Sequence, residues 1–115
     1  METFEEWICK LRDCNKLIIV EGKKDKESLA RFGIANVITC ASSSQLVIEK
    51  IREKEVIILT DLDKEGKKHY AILRSELQKR KIKIDNRFRE FLFRKTDISH
   101  IEGIKYYEQE TSLTR

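Results

Sequence analysis

Asp61 and Asp63 stand at alternate positions in Leu59-Thr60-Asp61-Leu62-Asp63-Lys64-Glu65-Gly66, at the end of the apolar run Val56-Ile57-Ile58-Leu59. Two carboxylates this close repel each other, and a divalent cation is the simplest group that holds both ionised. A third acid, Glu21, directly follows a second apolar run, Leu17-Ile18-Ile19-Val20. Hard oxygen donors, with no nearby cysteine and no HxxxH spacing, select Mg2+ or Mn2+ over zinc. Glu21, Asp61 and Asp63 are therefore the candidate metal-ligating and catalytic residues. Around them stand Gly22, Lys23, Lys24, Lys64, Gly66, Lys67 and Lys68, with Ser42 and Ser43 at the start of another helix. Lysines interleaved with acids fit a metal-bridged phosphodiester, and glycines keep the backbone clear of an incoming phosphate. A helix start capped by serine also suits an anion.

Other sites share the Asp-x-Asp spacing. Asp61, Asp63, Glu65 and Gly66 match the first positions of a calcium-binding EF-hand loop, but position 12 is Ile72, where a bidentate glutamate is required. Haloacid-dehalogenase-type phosphotransferases place the pair after their first strand, whereas here it follows the third apolar run. A phosphorylated receiver domain needs an acidic pair after its first strand, where this chain has Glu21-Gly22. The GxxxxGK[ST] loop of nucleoside triphosphatases is absent from the sequence.

The elements that must position these residues are legible from periodicity. Runs that are apolar at every position suit strands covered on both faces: Leu17 to Val20, Val37 to Cys40 and Val56 to Leu59, with Ile82 to Ile84 as a short fourth. Helical spacing appears from Glu2 to Asp13, capped by Thr3, and from Asp25 to Phe32, with Asp25 as cap and Gly33 as stop. It returns after Ser42-Ser43-Ser44, from Lys64 to Lys81 and from Asn86 to Lys95. Phe88, Phe91, Leu92 and also Phe93 read as core. Strands alternating with helices predict an α/β fold with a parallel, doubly wound sheet. In that fold Glu21, directly past one buried strand, and Asp61, just past another, share the carboxyl edge where ligands bind.

Taken together, Ile18-Ile19-Val20-Glu21-Gly22-Lys23-Lys24-Asp25 and Ile57-Ile58-Leu59-Thr60-Asp61-Leu62-Asp63-Lys64-Glu65-Gly66 closely resemble the Toprim domain. That family covers topoisomerases, bacterial-type primases, recombination proteins, overcoming-lysogenization-defect nucleases and the ribonuclease that matures 5S ribosomal RNA. The resemblance runs from Lys16 to Ile84, and the two motifs at this spacing are specific where either alone is weak. Glu21 to Asp25 is similar to the small stand-alone and rRNA-maturing branch, and His100-Ile101-Glu102-Gly103-Ile104 to the tail of small archaeal members. The resemblance implies a Rossmann-like Toprim fold, with about four parallel strands and helices on both faces. It implies Mg2+ held by Asp61 and Asp63, with Glu21 as general acid/base or further ligand and Glu65 as an additional acid. On this reading residues 1–115 form a single Toprim domain: a core at 16–84, an N-terminal helix at 2–13, and a C-terminal helix and tail at 85–115.

A topoisomerase needs a tyrosine nucleophile on a separate domain, for which 115 residues have no room; Tyr70 reads as core, and Tyr106 and Tyr107 lie in the tail. Two functions remain. One is a Mg2+-dependent nuclease or phosphotransferase acting on nucleic-acid phosphodiesters, with structured RNA ahead of DNA. The alternative is a non-catalytic nucleic-acid- or nucleotide-binding module in a larger complex, with a protein partner or a second copy of the chain.

A net charge of +4 and a pI near 9.0 lean toward polyanions. The basic cluster Lys79, Arg80, Lys81, Lys83, Arg87 and Arg89 is the candidate grip on a nucleic-acid backbone. His69 and His100 have no visible partner in sequence and read as structural. The odd set Cys9, Cys14 and Cys40 lacks CxxC spacing and points to free thiols in a reducing, cytoplasmic setting. No apolar run approaches the roughly 20 residues of a membrane span.

Overall fold

The apolar runs form the strands. In the computed structural model, which describes residues 1, 3–40 and 43–104, β1 is Leu17–Val20, β2 is Val37–Thr39, β3 is Glu55–Ile58 and β4 is Lys83–Ile84. All pair in parallel, in the order β2-β1-β3-β4. Five helices alternate with them: α1 (Phe4–Asp13), α2 (Lys23–Ala30), α3 (Ser44–Lys50), α4 (Lys64–Lys79) and α5 (Arg87–Lys95), followed by a 3-10 turn at Ile101–Gly103. This is the α/β architecture with a parallel, doubly wound sheet expected from the sequence.

The period-2 alternation of the strands splits the core into two layers. Ile18, Val20, Ile57 and Leu59 join Trp7, Leu11, Leu29, Phe88, Leu92 and Ile104, so α1, α2 and α5 cover one face. Leu17, Ile19, Val56 and Ile58 join Val47, Ile48, Leu73 and Leu77, so α3 and α4 cover the other. Trp7 is fully buried, and its indole N–H donates to the Phe88 carbonyl at 2.8 Å, which removes the cost of enclosing that polar group. Because β1 lies between β2 and β3, the chain runs from β1 to β2 on one side and then crosses to β3 on the other. The gap between β1 and β3 is the topological switch point.

Helix ends differ from expectation in several places: α2 stops at Ala30 instead of Phe32, α5 starts at Arg87 instead of Asn86, and three further differences have clear causes. Thr3 caps α1, its hydroxyl oxygen accepting from the Glu6 N–H, so the helix begins at Phe4. Gly22, not Asp25, is the cap of α2; Asp25 lies within the first turn and its carboxylate accepts from the Gly22 N–H at 3.0 Å. The third is α4, which stops at Lys79 because Lys81 takes a left-handed conformation (φ 61°). The Ile82 N–H then reaches the Leu77 carbonyl, and the Lys81 N–H that of Gln78. With lysine instead of glycine at that position, the stop has no sequence signal. Gly33 (φ 79°) closes the stretch after α2 in the same way, as expected. Ser42, Tyr106 and Tyr107 lie outside the described residues.

Candidate metal centre

Parallel pairing of β1 with β3 places the residues after them side by side. The Leu59 N–H donates to the Ile19 carbonyl at 2.8 Å, and two residues further on the Asp61 N–H donates to Glu21 Oε1 at 3.0 Å. Asp63 caps α4, with Oδ1 accepting from the Gly66 N–H at 2.8 Å. That bond, assisted by His100, holds the Asp63 carboxyl below the usual aspartate range. Burial pushes the Glu21 carboxyl up, the Asp61 N–H opposes this, and the nearby charges of Asp61 and Asp63 push it up further.

The segment read as a tail folds back onto these acids. The Ile101 N–H donates to Asp61 Oδ1 at 2.8 Å, the Leu62 N–H donates to the Ser99 carbonyl at 2.7 Å, and His100 Nε2 lies 3.0 Å from Asp63 Oδ2. His100 Nδ1 in turn lies 3.0 Å from the Ser99 hydroxyl, which orients the ring. Ligand atoms of Asp61, Asp63 and His100 all lie within 4.8 Å of one another. Opposite ligands of an octahedral ion at 2.1 Å are about 4.2 Å apart, so small side-chain adjustments close such a set around one cation. Two carboxylates and an imidazole suit a divalent ion, and no lysine or arginine makes a salt bridge with Asp61 or Asp63 among the described residues. Glu21, expected as a third ligand, lies beside Asp61 through the bond from the Asp61 N–H, and it is His100 that joins the two aspartates in this group.

Gly66 is where the loop and α4 meet most closely. A Cβ there would fall 1.9 Å from the Asp61 carbonyl oxygen and 2.7 Å from Glu21 Oε1. Gly66 thus makes room for the acidic loop itself. Thr60, fully buried, donates its hydroxyl to the Gly66 carbonyl at 2.8 Å.

Arg89 does not belong with the exposed basic residues. Its guanidinium is buried and donates to the Thr60 carbonyl, to the Thr60 hydroxyl at 3.0 Å and to the Asp61 carbonyl at 3.3 Å. Its carbon centre stacks 4.5 Å from the Tyr70 ring centroid. Arg89 supports the aspartate loop from beneath and offers no fork to a phosphate. Arg87 is committed to Asp85, which it meets through Nε at 3.0 Å and Nη2 at 2.8 Å. Lys79, Arg80, Lys81 and Lys83 are exposed, but they lie at the opposite end of α4 from Asp63. Its 16 residues measure about 24 Å at 1.5 Å each.

Nearer the acids, Lys64, Lys67 and Lys68 occupy the first turns of α4, while Lys23 and Lys24 open α2; all are exposed. Gly22 precedes them, and Ser43 caps α3 by accepting from the Leu46 N–H. His69, close enough to Glu21 for its positive form to favour the carboxylate, has a buried Nδ1 with no hydrogen-bond partner among the described residues. Both histidines read as structural in the sequence because neither has a partner visible there; the hint for His100 was the resemblance of the His100 to Ile104 tail to small archaeal members.

A parallel sheet with an acidic pair at its switch point defines the class, and the Toprim domain family model matches residues 15–88. The chain belongs to the Toprim domain family. Toprim domains typically bind a metal, usually Mg2+, through acidic residues and act on nucleic acid, and the described residues offer such a candidate group. The chain is similar to a UPF0292 protein of Methanocaldococcus jannaschii, 33% identical over 114 residues, covering 93% of this chain and 88% of the relative. A UPF0292 protein of Pyrococcus abyssi is 36% identical over 106 residues, covering 88% and 80%. Among solved structures, a putative protein from Aquifex aeolicus superposes with a TM-score of 0.82 at 33% identity, covering 89% of this chain and 98% of that one. No helix among the described residues is long and apolar enough to cross a membrane.

Proposed function

We propose that this protein is a Mg2+- or Mn2+-dependent nuclease or phosphotransferase acting on the phosphodiesters of structured RNA. The observation that supports the reading is the grouping of Asp61, Asp63 and His100 ligand atoms within 4.8 Å of one another, with Glu21 hydrogen-bonded to the Asp61 backbone beside them. Asp61 and Asp63 would hold the cation, with His100 or Glu21 completing the set. Bound there, it would neutralise charge on the phosphoryl oxygens while water, or an acceptor hydroxyl in a phosphotransferase, bonds to phosphorus and the bond to the leaving oxygen breaks. Glu21, whose carboxyl burial pushes up, keeps its proton to higher pH than an exposed glutamate, which suits it to protonate the leaving oxygen. Lys23, Lys24, Lys64, Lys67 and Lys68 would position the phosphates on either side. Lys79, Arg80, Lys81 and Lys83 would reach only a distal flank of a long substrate, on the order of 24 Å away along α4. The three cysteines are free, which fits a reducing, cytoplasmic setting.

One observation favours a second reading, a non-catalytic nucleic-acid-binding module in a larger complex with a protein partner or a second copy. The Ile101 N–H and His100 each already engage an oxygen of Asp61 and Asp63. Cleavage of end-labelled RNA and DNA hairpins with and without Mg2+ separates the two. Loss of cleavage in Asp61→Asn supports the nuclease; binding without cleavage of any hairpin leaves the module.

A further inference from the structure

Beside the aspartate loop lies a cavity of about 360 Å3 whose walls include Leu62, Lys67, Tyr70, Arg89, Phe93 and Arg94. Its size lies within the range of small-ligand pockets. Phe93 is the unexpected member. The inward face of α5 is made by Phe88, Phe91 and Leu92, exposed by 6% or less, whereas Phe93 is 61% exposed. An isolated exposed phenylalanine is common, but this one walls a cavity shared with Leu62, the residue between the two aspartates. Lys67 Nζ lies 5.6 Å from the Phe93 ring centroid, and the Lys67 N–H donates to the Asp63 carbonyl in the first turn of α4. An aromatic face, two exposed cations and the aspartate loop therefore meet within one nucleotide's reach. Glu90 is the single acid on the wall, set against Lys67 and Arg94.

We propose that this cavity holds one unpaired nucleotide next to the phosphate at Asp61 and Asp63, its base stacked on Phe93 and its phosphate met by Lys67 and Arg94. The inference rests on the nucleic-acid reading above and adds the class of substrate: single-stranded or loop segments. A base inside a duplex stack has no free face to give to a side chain, whereas an unpaired one does. Stacking also tolerates any base, so the site selects for lack of pairing more than for sequence.

The test is fluorescence anisotropy in EDTA and again in Mg2+, with labelled RNA and DNA strands of about 12 nucleotides and their blunt duplexes. The wild type is expected to bind the single strand more tightly than the duplex. Phe93→Ala is expected to weaken single-strand binding by about 5- to 150-fold and leave duplex binding unchanged. Phe93→Trp restores binding, and its exposed indole is quenched by a base-containing strand but not by an abasic one, against the fully buried Trp7. Equal affinity of Phe93→Ala and wild type, equal losses on strand and duplex, or no binding by the wild type overturns the site. Cleavage is scored separately, in Mg2+ with Asp61→Asn as control. Cutting with no effect of Phe93→Ala removes this cavity and keeps the nuclease. Phe93-dependent binding without cutting does the reverse.

Discussion

Glu21 Oε1 accepts the Asp61 N–H at 3.0 Å, which ties the acid after β1 to the acid after β3 across 40 residues of chain. The Glu21 carboxylate therefore has a structural contact as well as a chemical position. Glu21→Gln keeps an oxygen acceptor for that N–H and removes only the charge. It is expected to fold as the wild type by circular dichroism while cleaving hairpins at least about 100-fold more slowly, in keeping with the loss of a general acid.

Asp63 both caps α4 and faces His100. Asparagine caps helices as well as aspartate does, so Asp63→Asn separates the two roles. By calorimetry with Mn2+, Asp61→Asn and Asp63→Asn are each expected to weaken binding by about 100-fold or more, beyond what residues behind the ligands usually cost. Only Asp63→Ala should also lower the urea midpoint.

Imidazole favours later first-row ions over Mg2+. His100→Ala is therefore expected to reduce Co2+ affinity by about tenfold and to leave Mg2+ affinity nearly unchanged. Visible absorption of Co2+ bound to wild type and variant checks this directly. Identical spectra would remove His100 from the ion.

Gly66 is fixed by contact with the aspartate loop. A Cβ 1.9 Å from the Asp61 carbonyl oxygen forces α4 and the loop apart. Gly66→Ala is expected to cost about 1–3 kcal/mol in urea unfolding, the range for overpacking a tight site, and to abolish metal binding.

Arg89→Lys keeps a positive charge but loses the planar fork that spans the Thr60 and Asp61 carbonyls. A loss of about 1–3 kcal/mol is expected from the unsatisfied buried acceptors. The salt dependence of nucleic-acid binding should keep its slope, because Arg89 does not meet the phosphates. A flatter slope would return it to the binding surface.

Asp85 accepts from Lys16 Nζ at 2.8 Å and from the Arg87 fork, and these bonds, Arg87 first, drive its carboxyl well below the ordinary aspartate value of 3.8. A depressed folded-state value means the stabilisation is present above the unfolded value and lost as pH falls through the folded one. Asp85→Asn is expected to cost about 1–3 kcal/mol at pH 7. Urea titrations should show the gap to wild type closing below the ordinary aspartate range, and a gap independent of pH would contradict the pairing.

The strands and the residues at their carboxyl ends were determined by local pattern alone. Runs apolar at every position, such as Leu17 to Val20, can be satisfied only by burial on both faces, and that requirement fixes the parallel sheet and the place of Glu21 and Asp61 at its edge. What surrounds those acids was decided by the tertiary structure. His100 meets Asp63 across 37 residues, and Arg89 meets Thr60 across 29. Phe88 and Phe93 share one helix but differ from 1% to 61% in exposure. Periodicity reports which face of an element is apolar and cannot report which distant segment covers it. An arginine that serves buried carbonyls and one that awaits a phosphate are therefore the same letter until the chain closes around them.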